Sequence, residues 1–226
     1  MYDVIIIGGG VCGAAIAMYL SKYELNCCVL EKENDVAMGA TKANSAIVHG
    51  GFDPVPGTLK AKLNVKGAAM MPALAEDLGV SYKNNGSLVL AFSEKEMEHV
   101  RKLYDRGIEN GVPGLSVLNA EELQALEPNI SKEAVGALLC SSAGIVCPYS
   151  LAVAAAGNAA DNGAELLLAS PVTAIEKQDG KFLLTCGEHT VEADYVLNCA
   201  GVRSDEVARL IGDDSFTIKP RAGEYL

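Results

Sequence analysis

The first thirty-one residues constrain this chain more than any other stretch. Tyr2-Asp3-Val4-Ile5-Ile6-Ile7 is a β-favouring run that meets three glycines, Gly8-Gly9-Gly10. A small-residue segment follows, then a second apolar run, Cys27-Cys28-Val29-Leu30, which ends on Glu31. Strand, glycine turn, helix and acid-terminated strand in this order make the unit that holds a dinucleotide. Gly8 permits the tight turn, Gly10 lets a pyrophosphate approach bare backbone, and Gly13 lets the helix pack closely on the sheet. A helix over about residues 11 to 22 would present free N–H groups and its positive dipole end to the phosphates. Glu31, eighteen residues past Gly13, is placed to accept hydrogen bonds from both ribose hydroxyls.

A membrane span is the competing reading, because Val4 to Ser21 carries no charge over eighteen residues. The stretch has no basic leader and contains four glycines, so neither a signal peptide nor a membrane helix fits it well. Half of the residues are hydrophobic and only 5% are aromatic, which implies an aliphatic interior suited to tightly packed α/β layers. A net charge of −11 argues against nucleic acid and anionic membrane surfaces as partners. An anionic substrate would need its own cationic pocket. The seven cysteines include no C-x-x-C pair, which with the absent leader suggests a reduced, cytoplasmic chain without a metal site.

Further along, Met38 to Asp53 is too polar and glycine-rich for a core element and too poor in charge for an idle loop. Its small hydroxyl and amide residues suit close contact with a flat ring and a phosphate. Thr58 is expected to cap a helix that runs to Gly79, kinked or split at Pro72. Ser87 to Phe92 reads as a strand, and Ser93 to Glu96 as a capping box. The helix it opens has Met97, Val100, Tyr104 and Ile108 on its apolar face, with His99 among the solvated charges. Asn119 to Glu122 repeats the capping pattern. Ala134 to Ala160 reads as a buried strand, a turn, and an alanine-rich crossover helix from about Pro148 to Asn162. Strands follow over Glu165 to Ala169, Val172 to Lys177, Lys181 to Cys186, His189 to Glu192 and Asp194 to Asn198. Ala200 and Gly201 then place small residues at a strand's C-terminal end, the edge where open α/β sheets bind ligands. Ser204 is expected to cap a short helix, and Thr217 to Leu226 to be strand-like.

Taken together, residues 1–31, the 39–53 segment, the meander and Val196 to Gly201 resemble the FAD-dependent oxidoreductases of the D-amino-acid-oxidase and glycerol-3-phosphate-dehydrogenase superfamily. Ala43 to Asp53 with Pro56 to Lys62 is most similar to the anaerobic-type glycerol-3-phosphate dehydrogenases, and L-2-hydroxyglutarate oxidases carry a similar segment. Arg221 to Tyr225 resembles the Arg-x-Gly strand that enters the flavin pocket of such enzymes. The resemblance implies FAD, which the glycine turn alone does not distinguish from NAD. It implies an α/β fold: a Rossmann-like FAD-binding domain with an inserted β-meander (1–80 and 146–213), plus an incomplete α+β substrate domain (81–145 and 214–226). By analogy the cofactor-binding residues are Gly8, Gly10, Gly13, Glu31, Lys32, Thr41, Asn44, Ser45, Val172, Ala200 and Gly201.

For catalysis the resemblance points to His49 as the base that takes a hydroxyl proton while the C–H hydride leaves for flavin N5. The alternative is that His49 only hydrogen-bonds the flavin or the backbone. Arg221 and Lys62 are candidates for an anionic substrate group, or plain surface cations. Relatives of this type continue well past position 226, which implies an N-terminal part of such an enzyme, with the phosphate cradle complete and the lid over the flavin missing. The reading is therefore oxidation of sn-glycerol 3-phosphate. Its alternatives are L-2-hydroxyglutarate or amino-acid oxidation on the same scaffold, a non-catalytic nucleotide-binding fragment, and an NAD-dependent dehydrogenase. The electron acceptor stays open among a quinone, an iron–sulfur partner and oxygen.

Overall fold

In a computed structural model, which describes residues 1–223, the chain opens with β1 (Tyr2–Ile7), α1 (Val11–Leu20) and β2 (Cys27–Leu30). Next come β3 (Ile47–Val48), α2 (Leu59–Asp77), β4 (Tyr82–Lys83), β5 (Ser87–Ala91), α3 (Glu94–Glu109), β6 (Leu115–Asn119), α4 (Ala120–Leu126), β7 (Gly136–Cys140) and β8 (Gly144–Val146). The chain continues with α5 (Pro148–Asp161), β9 (Glu165–Leu167), β10 (Val172–Gln178), β11 (Lys181–Cys186), β12 (His189–Asn198) and α6 (Ser204–Arg209). Two compact units result: residues 1–45 with those from 148 onward, and residues 46–147. These units divide the chain differently from the domains expected by role, because 46–80 packs with 81–147.

The first unit is a six-stranded sheet ordered β10-β11-β12-β1-β2-β9. Strands β12, β1, β2 and β9 run parallel, whereas β10 and β11 pair antiparallel. A central parallel strand is covered on both faces, which explains why Val4 to Ile7 is apolar without alternation and fully buried. On one face Ile5, Ile7, Cys28 and Leu30 share a cluster with Ile175, Leu184 and Cys186, and Val207 of α6 with Leu210 just past its end closes it. Three strands stand between β10 and β2 in the sheet order, so one cluster holds residues of both because the meander folds over that face.

The opposite face is covered by α1 and α5, which pack on each other through alanines. Ala14 and Ala17 of α1 and Ala152, Ala155 and Ala159 of α5 are all at most 2% exposed. Small side chains let both helices sit close together and close to the sheet. Strands β1 and β9, which flank β2, are also cross-tied at their starts, where the Tyr2 hydroxyl donates to Glu165 at 2.5 Å.

Strand β12 corrects one expectation. The two short strands expected over 189–192 and 194–198 are one ten-residue strand. No turn residue separates them. Ala193, fully buried, pairs with Phe182 of β11 on one side and Tyr2 of β1 on the other. The same strand thus serves the antiparallel meander with its first half and the parallel sheet with its second.

The second unit holds two small antiparallel sheets, β3-β8-β4 and β5-β7-β6. The latter carries α3 on one face and α4 on the other, so its residues alternate. Ala91, Leu138 and Cys140 join Met97, Val100 and Leu103 of α3, while Leu88, Leu90, Ala137 and Leu118 pack around Leu123 of α4. Strand β8 was not expected in the turn-rich stretch after Cys140. Ile108 is exposed, and Leu103 takes its expected place in the core. Helix α2 is capped by the Thr58 hydroxyl and continues through Pro72 without splitting. Ser93 accepts from the Glu96 N–H as expected, but the returning Glu96 carboxylate takes the Phe92 N–H, one residue early. At 120–126 the reciprocal box is complete.

The close α1–α5 packing yields a stability prediction. Leucine has nearly the helix propensity of alanine, so Ala155→Leu changes packing and little else. Overpacking a filled interior costs about 1–3 kcal/mol. The substitution is expected to lower unfolding free energy by that amount in a urea titration, and an unchanged midpoint would contradict the packing argument.

Candidate functional site

The site is built from the C-terminal ends of β1, β2 and β12. Gly8 has φ +108°, a conformation that L side chains rarely adopt, and a Cβ there would lie 2.5 Å from the Cys199 carbonyl oxygen. A Cβ on Gly13 would collide with the Gly8 carbonyl oxygen. The first turn of α1 is therefore pressed against the turn that leaves β1, and the residues just after β12 against the same turn. The Gly8 N–H donates to the Leu30 carbonyl and the Cys199 N–H to that of Ile7, each at 2.9 Å, so the three strand ends stay in register through the turn.

Glu31 is buried, and its carboxylate has two backbone partners. One oxygen accepts from the Gly9 N–H at 2.6 Å and the other from the Glu33 N–H at 2.9 Å. A carboxylate with charge-assisted bonds on both oxygens is held in one orientation. It ties the middle glycine of the turn to the end of β2. Lys32 is exposed and pairs with Glu33, holding that carboxyl below the usual range.

Gly10 gives α1 no side-chain cap. The Thr41 hydroxyl supplies one from a distant segment, accepting from the Val11 N–H at 3.0 Å. The first turn of α1 carries no acidic residue of its own, and the nearest carboxylate is that of Glu31 on the Gly9 N–H. Thr41 belongs to a 3-10 turn (Ala40–Lys42), onto which the Asn44 side chain folds back by donating to the Thr41 carbonyl at 2.8 Å. Ser45 follows, exposed.

At the end of β12, Asn198 organises the small-residue turn. Its side chain accepts from the Ala200 N–H at 3.2 Å and donates to the Ser204 carbonyl at 2.7 Å. Gly201 has φ +58° and open space where a Cβ would stand. Ser204 does not cap α6 as expected: it is the helix's first residue, and its hydroxyl donates to the Gly201 carbonyl. At the other flank the Ser170 N–H donates to the Glu31 carbonyl at 2.8 Å, which brings the start of β10, and so Val172, to the end of β2.

The structure thus gathers Gly8, Gly10, Gly13, Glu31, Thr41 and the 198–201 turn along one edge of the parallel strands. A bare glycine backbone, a helix whose own first turn holds no acid and a carboxylate fixed at the end of β2 fit the pyrophosphate and ribose of a dinucleotide. Asn198 and the Gly9 N–H escaped the sequence reading, although an Asn two residues before a small-residue turn is a recognisable Asx-turn signal. His49 and Lys62 belong to the second unit and are exposed; the His49 carbonyl accepts from the Asn64 side chain. Arg221 is exposed in the first unit. No strand is present over 217–223, and 224–226 lie outside the described residues. Among the described residues no cluster of acidic, His or Cys side chains could hold a metal ion, and no helix is long and apolar enough to cross a membrane.

The segment that leads to Arg221 is held by one carboxylate. Asp205 accepts from the Ile218 N–H at 3.2 Å and from Arg209 at 2.6 Å, with its side chain 8% exposed. The Ile218 N–H first, and the Arg209 guanidinium after it, hold Asp205 below the usual carboxylate range.

Comparison with known proteins agrees with this geometry. The family model described as FAD dependent oxidoreductase matches residues 3–226. The chain is 46% identical to a glycerol 3-phosphate dehydrogenase of Caloramator mitchellensis, over all of this chain and 47% of that protein. It is 34% identical to the human mitochondrial L-2-hydroxyglutarate dehydrogenase, over all of this chain and 51% of that one. Among solved structures, the reduced L-α-glycerophosphate oxidase of Mycoplasma pneumoniae with FAD bound superposes with a TM-score of 0.91 at 32% identity. That match covers 96% of this chain and 58% of the oxidase. The chain spans about half the length of the curated relatives it matches.

Two measurements test this site. Cys12, in the first turn of α1, and Cys147 are exposed, whereas burial and the nearby Glu165 push the Cys28 thiol up to about 12. A thiol reagent at pH 8 is expected to modify Cys12 and Cys147 first, and saturating FAD to protect Cys12 alone, read by peptide mass spectrometry. Cys12 labelling at the same rate with FAD present would remove the nucleotide from this edge. For Asp205, a carboxyl depressed in the folded state stabilises above its ordinary value of about 3.9 and loses that contribution as the pH falls through the depressed value. The protection factor of the Ile218 amide is therefore expected to stay high at neutral pH and to fall only in acid, and in Asp205→Asn to show no such acid-induced fall.

Proposed function

The chain belongs to the FAD-dependent oxidoreductase family, and from that premise we propose that the protein oxidises sn-glycerol 3-phosphate at its C2 alcohol, this chain supplying the dinucleotide-binding part. The observation that carries the substrate is the 46% identity, across the whole chain, to a glycerol 3-phosphate dehydrogenase. A second reading, L-2-hydroxyglutarate oxidation, has the support of 34% identity over the same length.

In this proposal Gly8, Gly10 and Gly13 leave room for the pyrophosphate at the α1 N-terminus. Glu31 accepts from the adenosine ribose through lone pairs that Gly9 and Glu33 do not use, with Lys32 beside it. Thr41, Asn44 and Ser45 lie along the pyrophosphate and flavin, Val172 contributes backbone near the adenine, and Ala200 and Gly201 offer a close approach. By role, 1–80 with 146–213 binds FAD and 81–145 with 214–226 faces the substrate, a division that cuts across the two compact units. Bound FAD would supply the acceptor for the C2 hydrogen.

His49 takes the proton of the C2 hydroxyl, since histidine ordinarily exchanges a proton near neutral pH. Arg221 binds the phosphate of the substrate, because a guanidinium can pair with two phosphate oxygens at once. Electrons then pass to an acceptor of the quinone, iron–sulfur or oxygen class.

The test is spectroscopic. Anaerobic addition of glycerol 3-phosphate to the FAD-loaded protein is expected to bleach the flavin absorbance, and His49→Asn to slow bleaching by about 10²–10⁴-fold. Bleaching by L-2-hydroxyglutarate but not by glycerol 3-phosphate would move the assignment to the second reading. No yellow protein at all would leave a non-catalytic fragment.

A further inference from the structure

His49 follows the two-residue strand β3 and opens a segment, 49–54, that has no regular structure of its own. Such a segment has no ladder to satisfy its carbonyls, and with Gly50, Gly51, Phe52 and Pro54 buried those carbonyls need partners from elsewhere in the protein. Here side chains from two helices of the same unit take over that task. The Asn64 amide of α2 donates to the His49 carbonyl at 2.7 Å. The Asn110 amide, at the C-terminal cap of α3, donates to the carbonyls of both Gly51 and Pro54 at 2.9 Å. Arg106 of α3 donates to the Asp53 carbonyl at 2.6 Å. Four carbonyls in six residues are thus bonded by three side chains.

Packing narrows the segment further. A Cβ on Gly50 would collide with the buried Cys140 sulfur, and one on Gly51 would stand 2.7 Å from a Val65 methyl. Phe52 is buried in the core beneath α3. The backbone after His49 is therefore clamped from below by the core and from the side by amide donors. None of these groups except His49 itself has a role in the chemistry proposed above, and His49 is the exposed residue at the head of the buried segment they hold.

We propose that Asn64 is a positioning residue: it fixes the backbone of His49, with Asn110 and Arg106 holding the segment that follows, so that the imidazole is presented in one place. The inference rests on the reading of His49 as the proton acceptor. Positioning of this kind affects the rate at which bound substrate reacts more than the affinity for it.

Asn64→Asp tests it with almost no change in size, because a carboxylate offers no donor to the His49 carbonyl. In the ¹⁵N-labelled protein, amide exchange at residues 49–51 is expected to rise on the order of tenfold, with exchange in β5, β6 and β7 unchanged, and the ring ¹⁵N shifts of His49 are expected to move. In the FAD-loaded protein, the limiting rate of anaerobic bleaching by glycerol 3-phosphate is expected to fall about tenfold with the half-saturating substrate concentration within about twofold, and Asn64→Gln, which keeps an amide donor, to recover part of the loss. Unchanged exchange at 49–51, or a loss confined to the half-saturating substrate concentration, would overturn the proposal. If His49→Asn bleaches at the parent rate, the base assignment fails and the positioning role fails with it. If His49→Asn is slow while Asn64→Asp is not, only the positioning role is lost.

Discussion

The approach of Gly13 to the carbonyl of Gly8 is the contact on which the rest of the parallel unit depends. It sets how near α1 can lie to the end of β1. The alanines of α1 and α5 continue the same close packing along the sheet, and the turn between Gly8 and Gly10 is left as bare backbone facing the helix N-terminus. A side chain at Gly13 would push the helix, and with it the helix's positive end, away from the end of β1, while one at Gly8 would meet the Cys199 carbonyl. Function and packing at this turn therefore have one physical origin, the absence of Cβ atoms between two backbones.

Around that contact the protein supplies polar groups from far along the chain. Glu31 binds the Gly9 N–H, Thr41 binds the Val11 N–H, and Asn198 shapes the turn at the end of β12. Each bond satisfies a backbone donor that the turn or the helix end would otherwise leave without a partner. The second unit shows the same economy around His49, where side-chain donors replace a missing strand. In both places an irregular segment is held by amides, hydroxyls and carboxylates instead of a ladder.

How far the sequence carried this depended on whether a feature was local. The strand, glycine turn, helix and acidic strand end were legible because each residue acts on its immediate neighbours: apolar β-favouring residues, glycines without a Cβ, a carboxylate at a strand terminus. The caps at Thr58 and Asn119 were legible for the same reason. The expected break at Pro72 did not occur, because a single lost N–H bond does not end a helix that is sustained on both sides. Ile108 and Leu103 exchanged places because the buried stripe of α3 is set by the sheet it meets. The expected break in β12 failed because the pairing partners of Ala193 lie eleven residues before it and at the opposite end of the chain.

By itself, then, the sequence determined the dinucleotide turn, the α/β class and the family resemblance that the comparisons bear out, since these rest on short-range chemistry repeated in order. Tertiary structure alone decided which donors meet which carbonyls. It turned Glu31 onto Gly9, brought Thr41 to the head of α1, curled the meander over the sheet and set Asn64 under His49. Those partners are 15 to 30 residues apart, and the meander is farther from the strands it covers. No periodicity or propensity encodes such distances; they follow from how the packed layers bring separate segments together.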